Sequence, residues 1–190
     1  NYLMRVNNKT TDWEVISPDL TWQQDREITG REEEQSTENG YHSYGALFSV
    51  IESRQDKNTI WAGSDDGYIW ITRNGGDDWT PLHDNLPADA PKQCVVDEIE
   101  TSHFVNGRAY ATLNCYGRND REPHVYVTND FGESWKAISD SLPTGPAYAI
   151  KEDPKNENVL YLGTEFGFFA TLNRGEKWVR VLGNLPTANV

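Results

Sequence analysis

The apolar residues of this chain fall in short runs rather than long stripes. Val, Ile, Phe, Tyr and Trp gather in groups bounded by Gly, Asn, Asp or Pro, and no stretch shows the spacing of an amphipathic helix. The runs begin with Leu3-Met4. Three sets follow: Ala46–Ile51, Thr59–Gly63 and Ile69–Ile71; Cys94–Ile99, Arg108–Leu113 and Val125–Val127; Ala147–Ile150, Asn158–Gly163 and Phe168–Ala170. Each set continues into a fourth run that opens on tryptophan, as in Trp135–Ile138 and Trp178–Val181. Such residues suit pleated, half-buried strands. The pattern predicts an all-β chain of antiparallel strands taken four at a time.

One repeated phrase joins the third and fourth strands of each set. It reads Thr72-x-Asn74-x-Gly76-x-x-Trp79, Thr128-x-Asp130-x-Gly132-x-x-Trp135 and Thr171-x-Asn173-x-Gly175-x-x-Trp178. A worn copy keeps Asn8 and Trp13 but has Val6 for the first Thr and Thr10 for the Gly. The register continues past the phrase. An aliphatic follows each Trp by three residues (Ile16, Leu82, Ile138, Val181) and a Leu by seven (Leu20, Leu86, Leu142, Leu185). Asp or Asn can accept backbone N–H bonds across a turn, and Gly tolerates positive φ there. The Thr hydroxyl can tie the same turn from the incoming strand, while Trp offers a broad face and an N–H that needs a partner. The phrase is a stapled hairpin corner and carries no chemistry of its own.

Spacings of 66, 56 and 43 residues between these tryptophans match four-stranded propeller blades. The expected organisation is half a blade over 1–20, a polar insert and linker over 21–43, and blades over 44–87, 92–143 and 145–186. Residues 187–190 would start another blade. Closing a ring would require two more strands of ~5–6 residues each. The prediction is therefore a β-propeller arc of about three complete blades plus half a blade, a fragment of a larger propeller. The opening Asn1 and the lack of a basic or apolar leader fit a chain cut from a longer one.

The phrase Thr-x-(Asp/Asn)-x-Gly-x-x-Trp resembles the Asp-box, or bacterial neuraminidase repeat, found in propellers of sialidases, xyloglucan-cleaving glucanases, sortilin-type receptors and a photosystem assembly factor. Ile16-Ser-Pro-Asp-Leu-Thr21, Trp61-Ala-Gly-Ser-Asp-Asp-Gly67, Glu152-Asp-Pro154 and Gly163-Thr-Glu-Phe-Gly167 are similar to large exported bacterial proteins with sortilin-like repeats. The resemblance implies an exported propeller, at the cell surface, in the periplasm or outside the cell. It implies no reaction, because one fold hosts many functions.

Charge narrows the partners. Thirty acids against seventeen bases give a net charge of −13, which opposes phosphate backbones, so no nucleic-acid partner is expected. The longest apolar run falls far short of the ~18–20 residues of a membrane helix, so no membrane insertion is expected either. The ten arginines are scattered and match no carboxylate-gripping cluster. No nucleophile elbow, phosphate loop or zinc helix occurs, no cofactor or metal is implied, and His42, His83, His103 and His124 stand apart as spacers.

The suggestive acids lie where second strands turn into third strands: Asp65, Asp66 and Glu165, the last beside Phe166. The same loop in the middle blade expands to hold Tyr116, Arg118 and Asp120. Loops of this kind gather on one face of a propeller, where ligands bind. No catalytic residue is assigned. The favoured reading is a non-enzymatic module whose partners are the remaining blades of a parent chain and a protein or cell-surface ligand. The alternatives are a carbohydrate-active propeller, for which Trp70, Tyr116 or Phe166 would serve as exposed platforms, and an accessory subunit of a membrane-associated assembly. Cys94 and Cys115 are too few for a disulfide framework, and no histidine stands at zinc-ligand spacing from either. A plain hairpin placing Ile99 opposite Tyr110 also places Cys94 opposite Cys115. A disulfide and two buried thiols both remain open.

Overall fold

A computed structural model describes residues 2–6, 9–21 and 45–182. Asn8, most of the polar insert and the segment from residue 183 lie outside the described residues.

Among the described residues, fourteen strands form one two-stranded and three four-stranded antiparallel sheets. The first pairs β1 (Met4–Val6) with β2 (Trp13–Val15). Three up-and-down sheets follow. They are β3 (Leu47–Glu52), β4 (Ile60–Ser64), β5 (Ile69–Thr72) and β6 (Thr80–Pro81); β7 (Val95–Thr101), β8 (Ala109–Asn114), β9 (His124–Thr128) and β10 (Lys136–Ala137); and β11 (Ala147–Glu152), β12 (Leu160–Thr164), β13 (Gly167–Thr171) and β14 (Val179–Arg180). The fourth strands are only two residues long. The Trp that opens each predicted fourth run lies just ahead of its strand, outside the strand pairing.

The core lies between sheets. One cluster joins Trp61, Ile71 and Leu82 of the first full blade to Val96, Ile99 and Trp135 of the second. Another joins Tyr110, Val125 and Ile138 of the second to Ile150, Leu162 and Trp178 of the third. Leu20, fully buried, links the half blade to Ala62 and Trp70. Trp70 is only 4% exposed and so is not the surface platform expected for it. Its position on β5 turns it into the seam.

The repeated corner is where the seams are fastened. Within it, the Thr72, Thr128 and Thr171 hydroxyls accept the backbone N–H of Gly76, Gly132 and Gly175 at 2.9–3.1 Å. The Asn74, Asp130 and Asn173 side chains each accept a backbone N–H four residues on, at 3.0 Å. The glycines adopt φ of +110°, +83° and +89°, and a Cβ on each would strike Ile16, Leu82 or Ile138 of the preceding blade. Those are the aliphatics that follow each Trp by three residues, so two recurring positions are one contact repeated. Trp79 and Trp178 donate their indole N–H to the carbonyls of Ile16 (2.7 Å) and Ile138 (2.6 Å). The Trp135 indole N–H finds no partner among the described residues. Trp13, with no described sheet on its far side, is 67% exposed. The neighbouring blade, not the corner itself, buries the indole.

The innermost strands β3, β7 and β11 each carry a bulge, at Phe48, Asp97 and Tyr148. This corrects the plain-hairpin register: Tyr110 faces Glu100, and Ile99 faces Ala111. The extra residue at Asp97 shifts the ladder by one position between its two ends. On the Cys94 side, Val95 faces Asn114, and Cys94 and Cys115 form a disulfide. The bulges also aim side chains across the seams. Ser49 Oγ accepts the Ile99 N–H and Glu98 accepts the Ile150 N–H, both at 2.8 Å. At the opposite end, buried Glu152 accepts from both Ser102 and Tyr110, and buried Glu100 pairs with Arg54 and Lys151. Burial and the Glu152 charge push the Tyr110 phenol far above its ordinary value.

Candidate functional site

The three bulges place Phe48, Asp97 and Tyr148 on the rim from which the second-to-third-strand loops also rise. Phe48 is 59% exposed. Asp97 stands at the start of β7, beside Asn114 at the end of β8. Burial raises the Asp97 carboxyl to about 6, partly offset by the Asn114 side chain. Its Oδ2 is buried with no hydrogen-bond partner among the described residues. The Tyr148 phenol is raised by burial, and the charges of Glu165 and Asp97, with Tyr116, raise it further. Glu165 likewise holds Oε2 buried and without a partner among the described residues. A carboxylate oxygen buried in this way normally has a donor. The rim supplies two that lack one.

The residues predicted from sequence divide in two. Glu165 and Tyr116 stand in the second-to-third-strand loops of this rim. Phe166 lies at its border, 46% exposed, its ring over Gly145. Asp65 is already committed: its backbone N–H and carboxylate form a closed pair with Ala46, at 2.9 and 2.7 Å. Burial raises its carboxyl, and the adjacent Asp66 adds to that. Asp66 accepts the Ser64 hydroxyl. Arg118 is tied to Gln93 through its carbonyl and side chain. Asp120 pairs with His124 at 2.9 Å and accepts the Glu122 N–H, and both contacts lower its carboxyl against the opposing effect of burial. Arg121 rather than Arg118 lies over the Tyr116 ring, 5.1 Å from its centroid.

Sequence reasoning missed Asp97, Asn114 and Tyr148, because a strand read as regular hides which residue a bulge expels. The available signal was an acid within the otherwise apolar start of an innermost strand.

A cleft of about 440 Å³ opens behind the rim, lined in part by Tyr68, His83, Leu86, Lys92, Gln93 and Cys94. The His83 ring lies 4.1 Å from that of Tyr68, and burial lowers its pKa.

No protein-family model matches the chain. A xyloglucanase of Paenibacillus sp is 22% identical over 148 residues, covering 72% of this chain and 14% of that protein. Among solved structures, a GH74 enzyme of Niastella koreensis superposes with a TM-score of 0.62 at 17% identity, over 90% of this chain and 24% of the other. YCF48 from Cyanidioschyzon merolae superposes with a TM-score of 0.53 at 21% identity, over 73% and 37%. The chain is an arc of a β-propeller. A further match, YCF48 bound to D1 peptide, has a TM-score of 0.53 at 19% identity over 74% and 43%. The chain thus spans only a minor part of each of these proteins, and at such identities the likeness extends to the fold.

Proposed function

We propose that this chain is part of an exported, non-catalytic propeller of the Asp-box type. Its rim around Asp97, Tyr148 and Glu165 binds a polypeptide segment carrying a basic side chain. One observation carries this reading: two buried carboxylate oxygens without donors among the described residues, on a rim that also bears the exposed rings of Tyr116 and Phe166. A Lys or Arg side chain offers the missing donors and an apolar stem for Tyr116 or Phe166 to cover. The peptide-bound propeller among the structural matches supports a protein ligand. The test is a peptide array rich in Lys and Arg, followed by titration of the best binder. Asp97→Asn and Glu165→Gln should each weaken binding about tenfold or more, because a hydrogen bond to a charged group contributes ~1.5–3 kcal/mol. Binding indifferent to both substitutions would sink the reading.

A second reading rests on a separate observation. Tyr116 and Phe166 are 50% and 46% exposed beside acids, as a sugar-stacking platform would be. A glycan array on the same protein separates the two, and turnover of a captured glycan would overturn the non-catalytic assignment.

A further inference from the structure

The middle blade holds a second constellation, at the base of the loop over residues 115–123. The Cys115 sulfur, an Asp120 carboxylate oxygen and a His124 ring nitrogen lie within 4.8 Å of one another. Cys94, bonded to Cys115, adds a fourth donor at the same point. Sequence spacing gave no hint of this. The loop turns back through Asn119 in the left-handed region, and the Asp120 N–H reaches the Cys115 carbonyl at 3.3 Å, bringing distant positions together. In the oxidised chain the sulfurs are committed to each other and cannot ligate.

We propose that reduction of Cys94–Cys115 converts this loop base into a zinc site formed by the two thiolates, His124 and Asp120. Two sulfurs, one imidazole and one carboxylate match the four-coordinate preference of Zn²⁺ and select against harder cations. In a tetrahedral site with bonds of ~2.0–2.1 Å, N and O ligands stand ~3.3 Å apart. His124 Nε2 and Asp120 Oδ2, now at 2.9 Å, need move only slightly to admit the ion between them. The second Asp120 oxygen is already oriented by the Glu122 N–H at 2.9 Å, the kind of outer contact that fixes a ligating carboxylate. Both sulfurs are buried, but Cys94 lines the 440 Å³ cleft, which gives a reductant and the ion a way in.

The chemistry balances with a phosphine as reductant. Disulfide, phosphine and water give two thiols and phosphine oxide, and Zn²⁺ then displaces the two thiol protons. The proposal makes the loop that carries Tyr116 responsive to redox state and metal together. It does not depend on the rim's ligand.

The test is titration of the protein with Co²⁺, before and after reduction with a phosphine, followed by optical spectroscopy. The expected result is one Co²⁺ per chain after reduction only, with a thiolate-to-cobalt charge-transfer band and the intense visible bands of a tetrahedral site, all lost on adding Zn²⁺. His124→Ala and Asp120→Asn keep the disulfide and hence the oxidised fold, and each should weaken binding at least about tenfold. Near-UV circular dichroism tracks the reduced fold. Binding without the charge-transfer band, wild-type affinity in both variants, or loss of the fold on reduction even with metal present would each overturn the proposal.

Discussion

Replacing Trp178 with Phe, and Trp135 with Phe as its counterpart, isolates what the seam hydrogen bond contributes. Both indoles are nearly buried, at 5% and 7% exposure, and both occupy the same position of the corner. Phe keeps most of the apolar ring, so each variant loses a similar area, costing about 1 kcal/mol. Trp135 also loses part of an edge-on contact with Trp61, whose ring centroid lies 6.1 Å away, a contact of ~0.5–1.5 kcal/mol. Trp178→Phe instead strands the Ile138 carbonyl, which now accepts the indole N–H at 2.6 Å. A buried acceptor left bare costs about 1–3 kcal/mol. Trp135→Phe strands nothing, because its N–H has no partner among the described residues. Trp178→Phe should therefore be the more destabilising by about 1 kcal/mol or more. Urea unfolding followed by far-UV circular dichroism, extrapolated linearly, measures the difference once coincidence with a second probe shows that the blades unfold together. Equal losses, or a larger loss at Trp135, would refute the claim that the indole works through the neighbouring blade's carbonyl.

Gly132→Ala should cost about 2–4 kcal/mol, from a positive φ and from a methyl placed inside the Leu82 side chain. In a Leu82→Ala background the steric part should vanish, a coupling that a double-mutant cycle by thermal melts would show. Asp97 is held above the ordinary carboxylate range, so the folded chain binds more protons than the unfolded one between about pH 4 and 6, and stability falls as pH rises through that window. Asp97→Asn should accordingly raise the melting temperature at pH 7 and lose most of that gain at pH 4. Without added metal, reducing the disulfide should lower stability by ~3 kcal/mol, the cost expected for releasing a closed loop of this size, read from denaturant midpoints before and after reduction.

The fold was legible because its signals are local and repeated. Thr128, Asp130, Gly132 and Trp135 state a corner within eight residues, and the same statement recurs at Thr72 and Thr171. What those residues do across the seam was not legible. The pairing of Gly132 with Leu82, or of Trp178 with Ile138, depends on how consecutive blades are rotated against each other, which no local pattern records. The candidate site was half legible. Glu165 and Tyr116 stand in loops that topology gathers on one face. Asp97 and Tyr148 reach that face only because a bulge interrupts a strand that reads as continuous. Asp65 shows the converse error: an acid in the right loop, used to fasten the incoming strand at Ala46.

These two layers explain how one scaffold can carry a site without compromising itself. The repeated seam fastenings lie between third and fourth strands, where the Thr, the Asn or Asp, and the Gly of each corner are committed to their own turn and the Trp packs on the preceding blade. The rim lies at the bulges and the second-to-third-strand loops, where the three full blades already differ: Asp65 closes one loop through hydrogen bonds, Cys115 closes the next through a covalent bond, and Glu165 keeps a carboxylate oxygen without a partner among the described residues. All three occupy the same place after the second strand, as the backbone bonds of Asp65 and Glu165 to Ala46 and Pro146 show. A position that can hold a tie, a bridge or a bare acid without moving the ladder beneath it is not required by the fold. On the proposed reading Glu165 is the acid a ligand's donor would meet, whereas the Asp65 carboxylate already accepts the Ala46 N–H.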